Sequence, residues 1–141
     1  MARKVAVVVA AAAIALVAAG CVTSQDTFSA MNADRAAAGA AAVQETGDLD
    51  WVAQNWANHL RDTASFSHQD IAALSAWSPY TAMAETLAKV PFDYTGAQVE
   101  TLWMNSVEHR AIVLDRRYQY VGIGIASNQT DTWVVAVFGG R

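Results

Sequence analysis

What most limits the folds open to this chain is a change of apolar period along its 141 residues. Leu49, Val52, Ala53, Trp56, Ala57 and Leu60 recur at the 3.6-residue spacing of a helix that buries one face. From Tyr120 the spacing changes. Tyr120 to Ser127 and Thr132 to Gly139 are rich in Val, Ile, Trp and Phe, and they flank Asn128-Gln129-Thr130-Asp131, a hairpin-loop composition. Helices first and a hairpin last define a layered α+β domain, and the length leaves room for only one.

Between these anchors the pattern is weaker. Thr27 to Ala42 reads as a first helix, with Phe28, Met31 and Arg35 at helical spacings and Gly39 near its end. Gly47 marks a turn, and Asp48 or Asp50 is the expected cap of the second helix. Residues 64–80 read as irregular. Thr81 to Ala88 reads as a short helix that ends before Pro91. Thr95 is the expected N-cap of a third long helix, followed by a helical or turn-like piece from Val107 to Leu114. Gly122 and Gly124 on either side of Ile123 indicate close backbone packing against a strand. Trp51, Trp56, Trp77, Trp103 and Trp133 are expected as core and cleft walls, and Arg35 and Arg110 as partners of acidic neighbours.

The N-terminus is a separate unit. Arg3 and Lys4 precede an uninterrupted apolar run from Val5 to Ala19, which at about 1.5 Å per residue falls short of a hydrocarbon core of about 30 Å. A basic head, a medium apolar run and small residues at its end describe a secretory signal over residues 1–20, preferred here to a permanent span. Its end, Val17-Ala18-Ala19-Gly20-Cys21, resembles a bacterial lipobox, in which Cys21 becomes the lipid-bearing first residue and 21–27 a tether, with the domain proper at 28–141. Ordinary cleavage leaving a free thiol is the alternative. Cys21 is the sole cysteine, which excludes disulfide frameworks and zinc-finger spacings. Without Arg3 and Lys4, seven basic residues face thirteen acidic ones, a net charge of -6. Such a domain lacks a nucleic-acid footprint and is repelled by anionic lipid, so acyl chains would have to do the anchoring.

Few residues can carry chemistry. Of three histidines, His59 lies on the flank of the second helix's apolar stripe, which suits a structural or solvated role. His68 follows Phe66-Ser67 just beyond that helix, where a side chain can turn into a cleft. His109 lies in Trp103-Met104-Asn105-Ser106-Val107-Glu108-His109-Arg110, beside a helix terminus. Glu85 stands in the otherwise uncharged Met83-Ala84-Glu85-Thr86-Leu87-Ala88.

In this order, Asn32-Ala33-Asp34-Arg35 with Gly39, Phe66-Ser67-His68, Ala84-Glu85-Thr86-Leu87-Ala88, Trp103 to Leu114, Val121 to Ala126 and the closing Trp133 to Gly139 resemble the CAP superfamily, the cysteine-rich secretory protein-like domain, in a short bacterial form. The resemblance implies an α-β-α sandwich with a central antiparallel sheet and a cleft that often holds two histidines and two acids. Carried over, these are His68, His109 and Glu85. Ser106 stands where the second glutamate is common, Thr86 stands where Asn often follows the first, and neither Glu108 nor Glu100 is well placed as a substitute. A reduced triad of His68, Glu85 and His109, with Ser106 beside it, is therefore expected.

Two imidazoles and a carboxylate can hold a zinc ion with an open position. Alternatively Glu85 fixes the tautomer of an imidazole and leaves only two ligands. The expected activity is binding in the cleft, of a lipid, small apolar molecule, glycan or envelope protein, by an exported and lipid-anchored protein of the bacterial envelope. A metal-assisted hydrolase using Ser67, Ser106 or a bound water is the rival reading, and a structural surface protein with a vestigial cleft is a third.

Overall fold

The computed structural model describes residues 20–141, so the expected signal segment lies outside the described residues except for Gly20. In chain order the elements are α1 (Ser24–Ala37), β1 (Gln44–Glu45), α2 (Gly47–Thr63), α3 (Ile71–Ala76), β2 (Ala82–Pro91), α4 (Gly96–Asn105), α5 (Val107–Val113), β3 (Tyr120–Ser127) and β4 (Asp131–Gly140). Among the described residues no helix is long and apolar enough to cross a membrane.

The four strands form one sheet in the order β1-β3-β4-β2. β3 and β4 make the expected hairpin, and β2 pairs antiparallel with β4 along its whole length, Ala82 opposite Gly140 and Pro91 opposite Asp131. β1 adds a two-residue parallel edge to β3, so the sheet is mixed rather than purely antiparallel. Side-chain alternation assigns each face a core. Val134, Ala136 and Phe138 of β4 join Ala88, Val90, Val121 and Ile123 beneath α1, α4 and α5. Trp133, Val135 and Val137 join Leu87 and Ala126 beneath the α2 stripe of Leu49, Ala53, Ala57 and Leu60.

The glycine pair explains how closely α2 lies on the sheet. A Cβ on Gly122 would fall 2.0 Å from the Leu49 carbonyl carbon, and one on Gly124 would fall 2.2 Å from that of Ala53. Only hydrogen fits there. α2 also finishes the edge that short β1 leaves open: Asp50 accepts from the Ile123 amide (3.1 Å), and the Gln54 side chain both accepts from and donates to the Ile125 backbone (3.0 and 2.8 Å). Asp50 thus serves the strand instead of capping the helix. The flanking residue is Thr46, which makes no side-chain cap, and Asp48 accepts from the Tyr80 hydroxyl.

Other expectations also change. Thr81 to Ala88 is not helical but the start of β2. Its Ala, Glu and Leu favour a helix, yet Glu85 to Ala88 are buried on both faces between the two helical layers. The stretch 64–80 contains the short α3, capped by Asp70, whose side chain accepts from the Ala73 amide. α1 begins at Ser24, inside the segment expected as a tether, and already buries Thr27. Arg35 pairs with no carboxylate; its guanidinium is buried and donates to the carbonyls of Ala41, Val113, Asp115 and Tyr118. Asn32 pairs both ways with the Val43 backbone, so the Asn32-to-Arg35 motif ties α1 to two distant loops. Trp51 and Trp77 are exposed and belong to no core; each instead stands at the wall of a surface cavity.

Candidate functional site

Three tryptophan indoles position the candidate residues. The chain leaves α2 through Ala64 in a left-handed conformation (φ 51°) and then runs extended past the sheet. There Trp133 donates to the Ser65 carbonyl (3.0 Å) and Trp56 to that of Ser67 (2.8 Å), pinning the loop on both sides of Phe66. His68 follows directly. On the other side of β2, the buried Trp103 of α4 donates to the Leu87 carbonyl (3.0 Å) and fixes the α4–α5 corner against the strand. Ser106 then caps α5 by accepting from the His109 amide at 3.5 Å.

Glu85 lies between these two supports. It shares its face of β2 with Leu87 and Met83, and its side chain is 1% exposed. The carboxylate accepts from His68 Nδ1 (2.7 Å), from the Gln69 backbone amide (3.3 Å) and from the Gln69 side-chain amide. Burial pushes the Glu85 carboxyl above its ordinary range, while the bonds from Gln69 and His68 pull it back. With Nδ1–H donated to Glu85, a neutral His68 keeps its lone pair on Nε2, and this ring is more than half exposed. His109 is half-buried, and its imidazole is held below the usual histidine range, first by burial and then by repulsion from His68. His109 therefore favours the neutral imidazole, and the His68 ring is held in orientation by an anchored carboxylate.

The three groups differ in what they can offer a ligand. Glu85 already serves His68 and Gln69, and among the described residues no group of three or more His, Cys, Asp or Glu side chains is arranged to hold a metal ion. Of the two roles considered for Glu85, zinc ligand and tautomer-fixing acceptor, the geometry matches the second: the buried acid is turned to the imidazole Nδ1 and to an amide. Ser106 spends its hydroxyl on the α5 cap and on a bond donated to Glu108 (3.2 Å). No bond joins the hydroxyl of Ser67 or Ser106 to an imidazole among the described residues. Glu108 is exposed, and His59 stacks on Trp56 with ring centroids 4.6 Å apart. Cys21 is exposed, three residues before α1. Sequence reasoning passes over Gln69, although its place directly after His68 puts its amide within reach of whatever holds that ring.

The other departure, Thr86, is fully buried with its hydroxyl oxygen unpartnered. Glu100 points inward from α4 and is 1% exposed, and among the described residues no donor reaches either of its carboxylate oxygens. Burial, reinforced by the nearby charge of Asp34 on α1, raises its pKa to about 8.

An α+β fold of this topology has known counterparts. The model of the cysteine-rich secretory protein family, CAP, matches residues 28–138, and the chain belongs to that family. Among solved structures it is similar to an outer surface protein of Borrelia burgdorferi, with a TM-score of 0.73 and 18% identity over 84% of this chain and 95% of that one. It is also similar to a cysteine-rich secretory protein of Staphylococcus aureus, with a TM-score of 0.69 and 18% identity over 82% of this chain and 37% of that one. An extracellular SCP-domain protein of Bacillus anthracis gives a TM-score of 0.67 at 18% identity, over 83% of this chain and 40% of that one. The chain thus spans less than half of the last two. No curated protein matches it.

Proposed function

We propose that this is an exported binding protein of the bacterial envelope, anchored by lipid on Cys21, that recognises its ligand through His68 and His109. The observation that carries the reading is the His68–Glu85–Gln69 network. A carboxylate with 1% side-chain exposure costs free energy to bury, and here it orients one exposed imidazole. His68 Nε2 and the neutral His109 ring offer acceptors to a ligand bearing hydroxyl or amide donors, a chemistry shared by glycans, peptides and lipid head groups. Binding is favoured over hydrolysis because no hydroxyl, base and orienting acid stand in mutual contact among the described residues. Export is supported by the basic-then-apolar start and by similarity to an outer surface protein and an extracellular protein of other bacteria.

The test compares the wild type with His68→Ala and His109→Ala, each immobilised and exposed to envelope extract, with retained species identified by mass spectrometry. A species held by the wild type and lost from both variants is expected. Retention by all three would remove the cleft from the function, and turnover of envelope polymer lost in both variants would replace binding with hydrolysis. For the anchor, the mass of membrane-extracted protein should show diacylglycerol on Cys21, and an unmodified cysteine would refute it.

A further inference from the structure

A cavity lies on the α2 face of the sheet; Gln69 is one of its walls, and neither His68 nor His109 lines it. It has a volume of about 530 Å³, within the about 300–1,000 Å³ common for small-ligand sites. Val52 and Trp56 of α2, Leu74 of α3, Trp77 and Met83 make its walls mainly apolar. α3 is anomalous: it carries Ile71 and Leu74 yet buries no residue fully, and Trp77 at its end is 93% exposed. This helix roofs a space instead of closing a core.

The charge in that space has one sign. Asp48 and Asp70 are the charged residues lining it, and no lysine, arginine or histidine does so among the described residues. Asp70 is committed to capping α3. Asp48 accepts from the Tyr80 hydroxyl at 2.9 and 3.1 Å. Desolvation alone would raise its carboxyl, but hydrogen bonds from Thr46 and Tyr80 hold it below the ordinary range, so it is charged at neutral pH. Arg141 lies over the Tyr80 and Tyr120 rings, 5.3 and 5.0 Å from their centroids, and makes no ion pair with Asp48. Trp56, Trp77 and Tyr80 add aromatic surface, which attracts cations.

We propose that this cavity is a second ligand site, distinct from the His68–His109 cleft, that takes an amphiphile with an alkyl or aromatic body and a cationic, ammonium-type head directed to Asp48. An anionic amphiphile of the same body is rejected, because its head would meet a charged carboxylate at the cavity wall with no compensating cation.

The experiment titrates the purified protein with decyltrimethylammonium, decanol and decanoate below their micellar concentrations, read by calorimetry and by NMR of the tryptophan indoles. Decyltrimethylammonium should bind at least about tenfold tighter than decanoate, the scale of one cation–aromatic contact plus one favourable charge. Its binding should shift the Trp56 and Trp77 indole signals. Asp48→Asn should shrink that preference to within about threefold, since it keeps an acceptor for Tyr80 and removes the charge. Ala73→Trp, which fills the cavity, should abolish binding, while His68→Ala and His109→Ala should leave it unchanged. Decanoate binding as tightly as the ammonium, absence of ammonium binding, or indole signals that do not move would each overturn the proposal, whether or not Ala73→Trp folds. Because the histidine variants are read separately, failure here does not touch the cleft, nor the reverse.

Discussion

Two glutamates are buried to nearly the same degree on opposite sides of this sheet, and they have opposite fates. Glu85, under the α2 layer, is surrounded by donors from His68 and Gln69. Glu100, between α1 and α4, is given no donor among the described residues; its carboxyl neighbour is Asp34, whose charge and acceptor oxygens keep the proton on it. Burying a carboxylate costs several kcal/mol unless hydrogen bonds replace its water. At Glu85 that replacement is present and its product is an oriented imidazole at the surface. At Glu100 the cost is met by retaining the proton. Burial alone therefore does not single out a functional acid; what its neighbours donate does.

The largest effect that could break this contrast is at Glu100. Its folded pKa, about 8, lies above the ordinary 4.5, so between these values the folded state holds a proton that the unfolded state has released. This contribution to stability is intact below about pH 4.5 and is lost as pH rises toward 8, at about 1.4 kcal/mol per pH unit. Glu100→Gln removes the slope and lets an amide donate to Asp34. Denaturant unfolding should then show the variant more stable than wild type by on the order of 4 kcal/mol at pH 8 and by less than about 1 kcal/mol at pH 5. Equal stability at pH 8 would show that Glu100 is not forced to stay neutral.

At Glu85 the outcome reverses. Glu85→Ala leaves the Gln69 amides without their acceptor and should cost about 1–3 kcal/mol in the same assay. Glu85→Gln, which keeps one acceptor, should cost less. A stabilising Glu85→Ala would make the two acids alike. His109 gives a smaller effect of the opposite sense to Glu100. Its folded pKa is depressed, so the stability it contributes is present above the ordinary histidine range and is lost as pH falls through the folded value. An NMR titration should find it protonating at lower pH than a free histidine, and His68→Ala should move it part of the way back up. The smallest expected effect is that of zinc. With Glu85 committed to His68 and Gln69, an excess of Zn²⁺ should leave the melting temperature unchanged, and a rise of several degrees would show that the acid turns to metal.

Much of this is legible from the residues, for reasons that can be named. The α2 stripe and the β3–β4 hairpin follow from strong periodicity, and Gly122 and Gly124 from the absence of a side chain where a helix lies on a strand. The meeting of His68 with Glu85 comes from family resemblance, since no local pattern states that residues 17 apart will bond. β2 reads as a helix because burial on both faces erases alternation, leaving only the helix preference of its Ala, Glu and Leu. Gln69 and Glu100 escape notice in opposite directions. An amide next to a histidine carries no periodic signal, and a glutamate on an amphipathic helix is assigned to solvent until its neighbours are known. Arg35 is matched to acids because charge suggests charge, whereas four converging carbonyls satisfy a guanidinium equally well.

The central claim is that Glu85 fixes His68 with Nδ1 protonated and Nε2 turned outward as an acceptor. The ¹⁵N chemical shifts of the His68 ring at pH 7.5 report this directly. The expected result is a protonated Nδ1 and a bare Nε2 in the wild type, with that preference reduced in Glu85→Ala. A wild-type ring protonated at Nε2, or the same mixture of tautomers in both proteins, would contradict it.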